Sequence, residues 1–587
     1  MPAVIRAIRL LAGLGIVLST ACATGPAAPE GEALAPTAEV AANAAAQVAE
    51  EHEDEDYPVR PFPTQTLAAL LAAEIAGVRG DVGFALAQYR AQARTTDDPQ
   101  VIARAAHIAQ YEGDEAALRE LADLWVAKEP DNPQAHELAA AALLRGGKVQ
   151  EALPHAVFLL REGDAQAFRK LTGAAAKQPP GQRRQVLTAY EALLRAEPDQ
   201  PDLLLGTALL LWEEQRLTEA RELAERALRA QPDQPAAHLL YAQLLDAAGL
   251  PEQALDHLEE ALSNFADDSN FSRAYVRTLF AHRDMEIALA RLRPLVERHP
   301  EDGALRLGLA LAHGESGQSG AAREQLRLLI EDPEFGDDAR FQLAQLEEAE
   351  GRAQEAEALY RRVEGNYWLP ATARLTRLLA AGGDLAAARR YLDEARALHE
   401  DQRVPLYQIE AEVLMQAGAY RQAREVLTQG LQQTPDSVEL LYARSLAHEK
   451  MDDIAAVEAD LRAILAIDAE NASALNALGY SLANHTDRFA EAQALIERAL
   501  ALEPDDAAIM DSLGWVLYRR GEHQRALVEL QRAAALLPDP EVAAHLGELL
   551  WVMGERERAK SIWGEALKQF PEDPLIRETM QRLQADS

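Results

Sequence analysis

The chain has 587 residues, one cysteine and a formal net charge of −37 from 95 acidic and 58 basic side chains. That acidic excess argues against nucleic acid as a partner, would repel an anionic membrane surface and favours basic proteins; the alternative is plain solubility of a long helical array with many solvated Glu residues. A lone cysteine excludes an internal disulfide, and an aromatic content of 5% beside abundant Ala and Leu suits an all-helical class.

Residues 1–21 read as an export signal. Arg6 and Arg9 give a positive start, Leu10–Leu18 is apolar, and Ser19-Thr20-Ala21 is a small-residue stretch before Cys22. The apolar run is too short for a transmembrane helix. Leu18-Ser19-Thr20-Ala21-Cys22 resembles a bacterial lipobox, although Ser19 stands where that motif usually has leucine. The resemblance implies that Cys22 is acylated and becomes the new amino terminus; the alternative is ordinary signal-peptidase cleavage nearby. Two or more acyl chains anchor stably where one does not. Ala23 follows the cysteine and no aspartate is present there. By the sorting rule of Gram-negative lipoproteins, this implies the outer membrane, facing the periplasm. Residues 22–64, rich in Ala, Pro and Glu and carrying the acidic run Glu50–Asp56, are expected to form a disordered tether.

From residue 65 to 574 the chain repeats. Ala220, Ala254, Ala288, Ala322 and Ala356 stand 34 residues apart. A fixed period of this size marks stacked helical hairpins, none of which buries its apolar face alone. Each unit has a small residue on its first helix, as at Ala242, Ala310, Ala344, Ala411, Gly479, Gly514 and Gly547, which lets the two helices approach closely. A glycine then ends that helix, as at Gly249, Gly317, Gly351, Gly383, Gly418, Gly521 and Gly554, and proline closes the second. About fifteen hairpins are expected on this period. The unit at 164–198 is degenerate because Gln178-Pro179-Pro180-Gly181 interrupts it, and minor slips occur before Ala388 and in His485-Thr486-Asp487-Arg488. Residues 575–587 are expected to form a helix that caps the last apolar face.

Chemistry-bearing motifs are lacking. The sequence has no HExxH, no phosphate loop, no GxSxG elbow and no dinucleotide fingerprint. Its 14 histidines are scattered without metal-ligand spacing. His107, His136, His238 and His257 fall within hairpins, where packed or surface histidine is the expectation. No catalytic residue, metal or cofactor is therefore expected, and the chain is read as not an enzyme.

The 34-residue unit resembles the tetratricopeptide repeat, most clearly at Ala507–Pro538 with Leu513-Gly514, Leu517, Gly521, Ala526, Leu530, Ala533 and Pro538. The resemblance implies an all-α solenoid, a right-handed superhelix of helix–turn–helix hairpins. In that family the first helix of each hairpin lines a concave groove. Carrying its groove positions over gives Asn476, Tyr480, Asn484, Asp511, Trp515, Tyr518, Arg519, Glu548 and Trp551 as a protein-binding cluster. Asparagine can hydrogen-bond an extended backbone, Trp and Tyr anchor, and Asp511 and Glu548 can meet a basic ligand. The opposing reading is that Trp515 and Trp551 pack between hairpins. A second, weaker group comprises Leu205, Leu209, Trp212, Glu213 and Asp246 with Arg273, Arg277 and Phe280. The lysine set of the family's carboxylate clamp is lacking.

Taken whole, the chain resembles the large tetratricopeptide lipoproteins of proteobacteria, through Ala474–Tyr480, Asp511–Arg519 and Pro538–Trp551. It is similar to the outer-membrane lipoprotein adaptor of a periplasmic carboxy-terminal processing protease. That resemblance implies a noncatalytic scaffold that recruits and activates the serine protease and presents cell-wall hydrolases that cut peptidoglycan cross-links. The membrane would be reached only through the lipid. The alternatives are an assembly factor for outer-membrane proteins, an activator of peptidoglycan synthesis, an exopolysaccharide secretion scaffold, or an enzyme whose site the repeats conceal.

Overall fold

A computed structural model describes residues 63–585 apart from 267, 283 and 572. The signal segment, Cys22 and the expected tether up to residue 62 lie outside the described residues, and Thr64, its last expected residue, already begins the first helix. Among those described there are 31 α-helices and no strand. They fall into two units, one ending at Gln318 and the other beginning at Ser319.

The first unit runs from the Thr64–Val78 helix to the Gly303–Glu315 helix, and the second from Ser319–Leu329 to Pro574–Ala585. Each holds seven complete hairpins. The interrupted stretch at 164–198 is itself a hairpin of Gln166–Ala176 and Pro180–Ala196, because the Gln178-Pro179 break falls between its helices. The slip before Ala388 also has a local cause. Ala353–Tyr360 is an eight-residue helix, shorter than its counterparts, and a 3-10 turn at Gly365–Tyr367 completes the connection.

Helix starts are set by short acceptors. Asp98, Asp114, Asn132, Asp302, Asn471 and Asp506 each accept a backbone N–H from the first turn of the helix that follows. Helix ends are set by left-handed turns. Gly521 and Gly554 have φ of 77° and 87°, where a side chain would be strained. Gln215 takes the same turn position in its own hairpin at φ 60°.

The repeated small residues do what their spacing asks of them. Ala220, Ala254, Ala288, Ala322 and Ala356 are all buried. A Cβ on Gly479 would lie 2.5 Å from Ile496, one on Gly514 2.5 Å from Leu530, and one on Gly547 2.0 Å from the Trp563 indole. At Gly479 and Gly514 the paired helix comes close enough for its backbone to meet a Cβ, and at Gly547 the space is filled by the indole. In the second unit one apolar core runs from Tyr407 through Leu440, Leu475, Ile509, Leu546 and Trp563 to Ile576 and Leu583. The last two residues belong to the Pro574–Ala585 helix, which lies on the Pro540–Val552 helix.

Candidate functional site

Four first helices follow one another at the end of the second unit: Ala472–His485, Ala507–Arg519, Pro540–Val552 and the terminal Pro574–Ala585. Each contacts the next. Their shared face carries most of the residues singled out in the sequence, and hydrogen bonds link them from helix to helix.

Trp515 is the centre. Its indole Nε1 donates to Asn484 Oδ1 at 2.5 Å on the preceding first helix. Its ring stacks on His545 of the following one, with centroids 4.1 Å apart and planes 21° off parallel. Tyr518 lies against it at 5.2 Å and donates its hydroxyl to Glu548 Oε1 at 3.1 Å. Burial and the Glu548 charge push the Tyr518 hydroxyl up to about 12. Tyr480 donates to Glu541, and burial followed by that carboxylate raises its pKa well beyond the ordinary phenol range.

The acidic residues are engaged within the fold. Asp511 is buried and takes His545 Nδ1 at 2.8 Å. Burial pulls the His545 pKa down, but the Asp511 hydrogen bond and charge, with Glu541 and Glu548 farther off, outweigh it and hold the imidazole above its ordinary value. Glu548 is buried too and receives Arg582 from the terminal helix as well as Tyr518. Asp511 does not line the cleft described below, whereas Glu548 lines it with its carboxylate already engaged by Tyr518 and Arg582. Asn476 Oδ1 and Asp511 Oδ1 are buried acceptors with no protein donor.

Arg519 is exposed, with its guanidinium 5.2 Å from the centre of the Phe489 ring. Trp551 departs from the cluster. It lies beside Trp563 at 5.8 Å and under the Arg556 guanidinium at 5.0 Å, both on the second helix of its own hairpin. For Trp551 the packing alternative describes the geometry; Trp515 packs and also faces the groove.

A cleft of about 570 Å³ opens here, lined by Trp515, Tyr518, Arg519, His523, Glu548 and Arg582, among others. A second cleft of about 640 Å³ lies upstream on the first helices Arg403–Gln416 and Val438–Glu449. Met415, Tyr442 and Leu446 give it an apolar floor and Glu412 and Glu439 an acidic rim. Sequence reasoning missed this cleft, and it also missed His545, Glu541 and Arg582. In the weaker group of the first unit, Leu209 and Phe280 are core residues and Asp246 binds His282 at 2.7 Å. Among the described residues no helix is long and apolar enough to cross a membrane.

The model of the tetratricopeptide repeat matches residues 211–278, and a second model of the same repeat matches 181–235, 275–334, 308–369 and 476–540. A TPR repeat-containing protein of Pseudomonas aeruginosa, PA4667, is 38% identical over 83% of this chain and 82% of its own length. The chain belongs to the tetratricopeptide-repeat family. Solved structures that align with it include yeast Tom70, at 15% identity and a TM-score of 0.32 over 88% of this chain and 99% of Tom70. Another is TTC0263 of Thermus thermophilus, at 22% identity and a TM-score of 0.28 over 30% and 95% of the two chains. As a tetratricopeptide protein the chain is a protein-interaction scaffold.

Proposed function

We propose that this chain is a noncatalytic, lipid-anchored scaffold on the periplasmic face of the outer membrane. It binds and activates a periplasmic carboxy-terminal processing serine protease and presents it with cell-wall hydrolases. The observation that carries this reading is the groove at the end of the second unit, in which hydrogen bonds between successive first helices hold Trp515 and Tyr518, and a bond that reaches past one helix to Glu541 holds Tyr480. A surface fixed in this way loses little side-chain freedom on docking, and exposed edges of Trp, Tyr and Arg are the usual anchors of an interface.

Charge supports the same reading. A net −37 steers and holds cationic partners, which suits hydrolases that must bind an anionic wall. Acylation at Cys22 would confine both bound proteins to one membrane. Holding protease and substrate on one chain makes their second encounter nearly intramolecular, at effective concentrations that reach about millimolar for short tethers.

The test is degradation of a cross-link hydrolase by the processing protease with and without this chain. The expected result is faster degradation with it, weakened by Trp515→Ala by about 2 kcal/mol or more in partner affinity. An unchanged rate would rule the adaptor out. Capture of barrel-assembly or wall-synthesis proteins from a cell-envelope extract, in place of a protease, would favour the other scaffold roles.

A further inference from the structure

Two histidine pairs recur at equivalent places in the first unit. His136 stands three residues after Pro133, and His238 three residues after Pro235, each on the first helix of its hairpin. Each faces a histidine nineteen residues later on the second helix. His136 Nδ1 lies 3.1 Å from His155 Nδ1, and His238 Nδ1 lies 3.2 Å from His257 Nε2. The fold does not require histidine there. In the hairpin that begins at Pro201, Leu204 and Leu223 hold the two positions and share one apolar cluster.

The outer nitrogens fix how the rings present themselves. His136 Nε2 is 2.8 Å from the Pro130 carbonyl, and His238 Nε2 is 2.8 Å from the Pro232 carbonyl. A carbonyl only accepts, so both nitrogens carry the proton, and in the neutral ring each Nδ1 turns a lone pair toward its partner. Ligating imidazoles are held by this kind of bond from the far nitrogen. Two imidazoles bound cis to one ion at about 2.0–2.1 Å would place their nitrogens ~3.1–3.2 Å apart at an angle of about 100°. Both pairs have that separation.

The surroundings suit an ion at the rim of each hairpin. Phe158 stacks on His136 at 4.0 Å, while Phe265 and Phe271 flank His238 and Tyr241 meets His257 edge-on. These rings hold the imidazoles in place. His155, His238 and His257 are only half-buried, so solvent reaches them. Asp123 and Glu260 set negative charge near His155 and His257.

We propose that His136 with His155, and His238 with His257, are two copies of a bidentate imidazole site for a late first-row divalent ion. Imidazole suits Cu²⁺, Ni²⁺ and Zn²⁺, and Cu²⁺ binds such donors most tightly. The pair supplies two ligands and water the rest; among the described residues no group of three or more His, Cys, Asp or Glu would close the shell. On binding, His155 and His257 carry their proton on the outward nitrogen, so the pair loses no proton.

The test is Cu²⁺ titration of the full-length chain by electron paramagnetic resonance, in wild type and in variants. Leucine is the replacement, since Leu204 and Leu223 show that the hairpin accepts it. The expected result is two bound equivalents with coupling to two nitrogens each. H238L/H257L is expected to lose one, and adding H136L/H155L the other, with helical circular dichroism unchanged. Failure to bind Cu²⁺, or a stoichiometry and nitrogen coupling that survive all four substitutions, would overturn the proposal and leave each pair as a hydrogen bond within its hairpin.

Discussion

Gly547→Ala tests the claim that the small residue of the first helix makes room for its paired helix, here for the Trp563 indole. The new Cβ would sit 2.0 Å from Trp563 Nε1, 2.3 Å from Cε2 and 2.7 Å from Cδ1. Trp563 is fully buried in the core of the second unit, so its ring must retreat by more than an ångström against close-packed neighbours. Overpacking of this kind costs about 1–3 kcal/mol, and a rigid ring puts this site at the upper end. Alanine returns roughly 1 kcal/mol through helix propensity. The net is a loss of about 2 kcal/mol. Gly564, on the second helix of the same hairpin, is the control: a Cβ there meets nothing within 4 Å. Gly564→Ala is expected to stabilise by about 0.5–1 kcal/mol. Stability in a repeat array is a sum of local terms. Hydrogen exchange of the amides in Pro540–Val552 and Arg556–Gln569 therefore reads the effect more directly than a global melt. Opposite signs for the two substitutions are expected. Equal protection in Gly547→Ala and wild type would refute the reasoning.

Gln215 holds a turn at φ 60° that glycine takes in other hairpins, so Gln215→Gly is expected to raise the stability of the hairpin begun at Pro201 by about 1 kcal/mol in urea unfolding. Burial, then the neighbouring His238, lower His257 to about 4, so the neutral pair stabilises the hairpin above the unfolded value near 6.5. That contribution is lost as pH falls from there through 4; discounted for partial exposure it is worth about 1–2 kcal/mol, and H238L/H257L should flatten this acid limb of exchange in Pro235–Asn264. His545 runs the other way: its raised pKa means that pairing with Asp511 stabilises fully below about 6.5 and fades as pH climbs through the folded value. His545→Leu strands the Asp511 carboxylate and is expected to cost about 3–5 kcal/mol, most of it recovered in D511L/H545L when thermal unfolding of the two is compared.

The fold was legible because its determinants are small residues at fixed positions. Alanine at 220, 254, 288, 322 and 356 and glycine at 479, 514 and 547 repeat whatever surrounds them, since the alanines are all buried and each glycine meets its paired helix where a Cβ would not fit. The groove was legible in part for the same reason. Asn484, Trp515, Tyr518 and Glu548 come together because groove positions of successive first helices share one face. What escaped was the pairing beneath it. Asp511 looks like a free acid until His545, 34 residues on, is set beside it, and Glu548 until Arg582, also 34 residues on, closes over it. Both separations are one repeat length, the distance at which stacked hairpins bring side chains together. Charges in a stacked array are therefore to be read in columns across repeats, where an isolated carboxylate and a partnered one can be told apart. Trp551 fails even that reading, because its partners Trp563 and Arg556 lie on its own hairpin's second helix, and no column across first helices contains them.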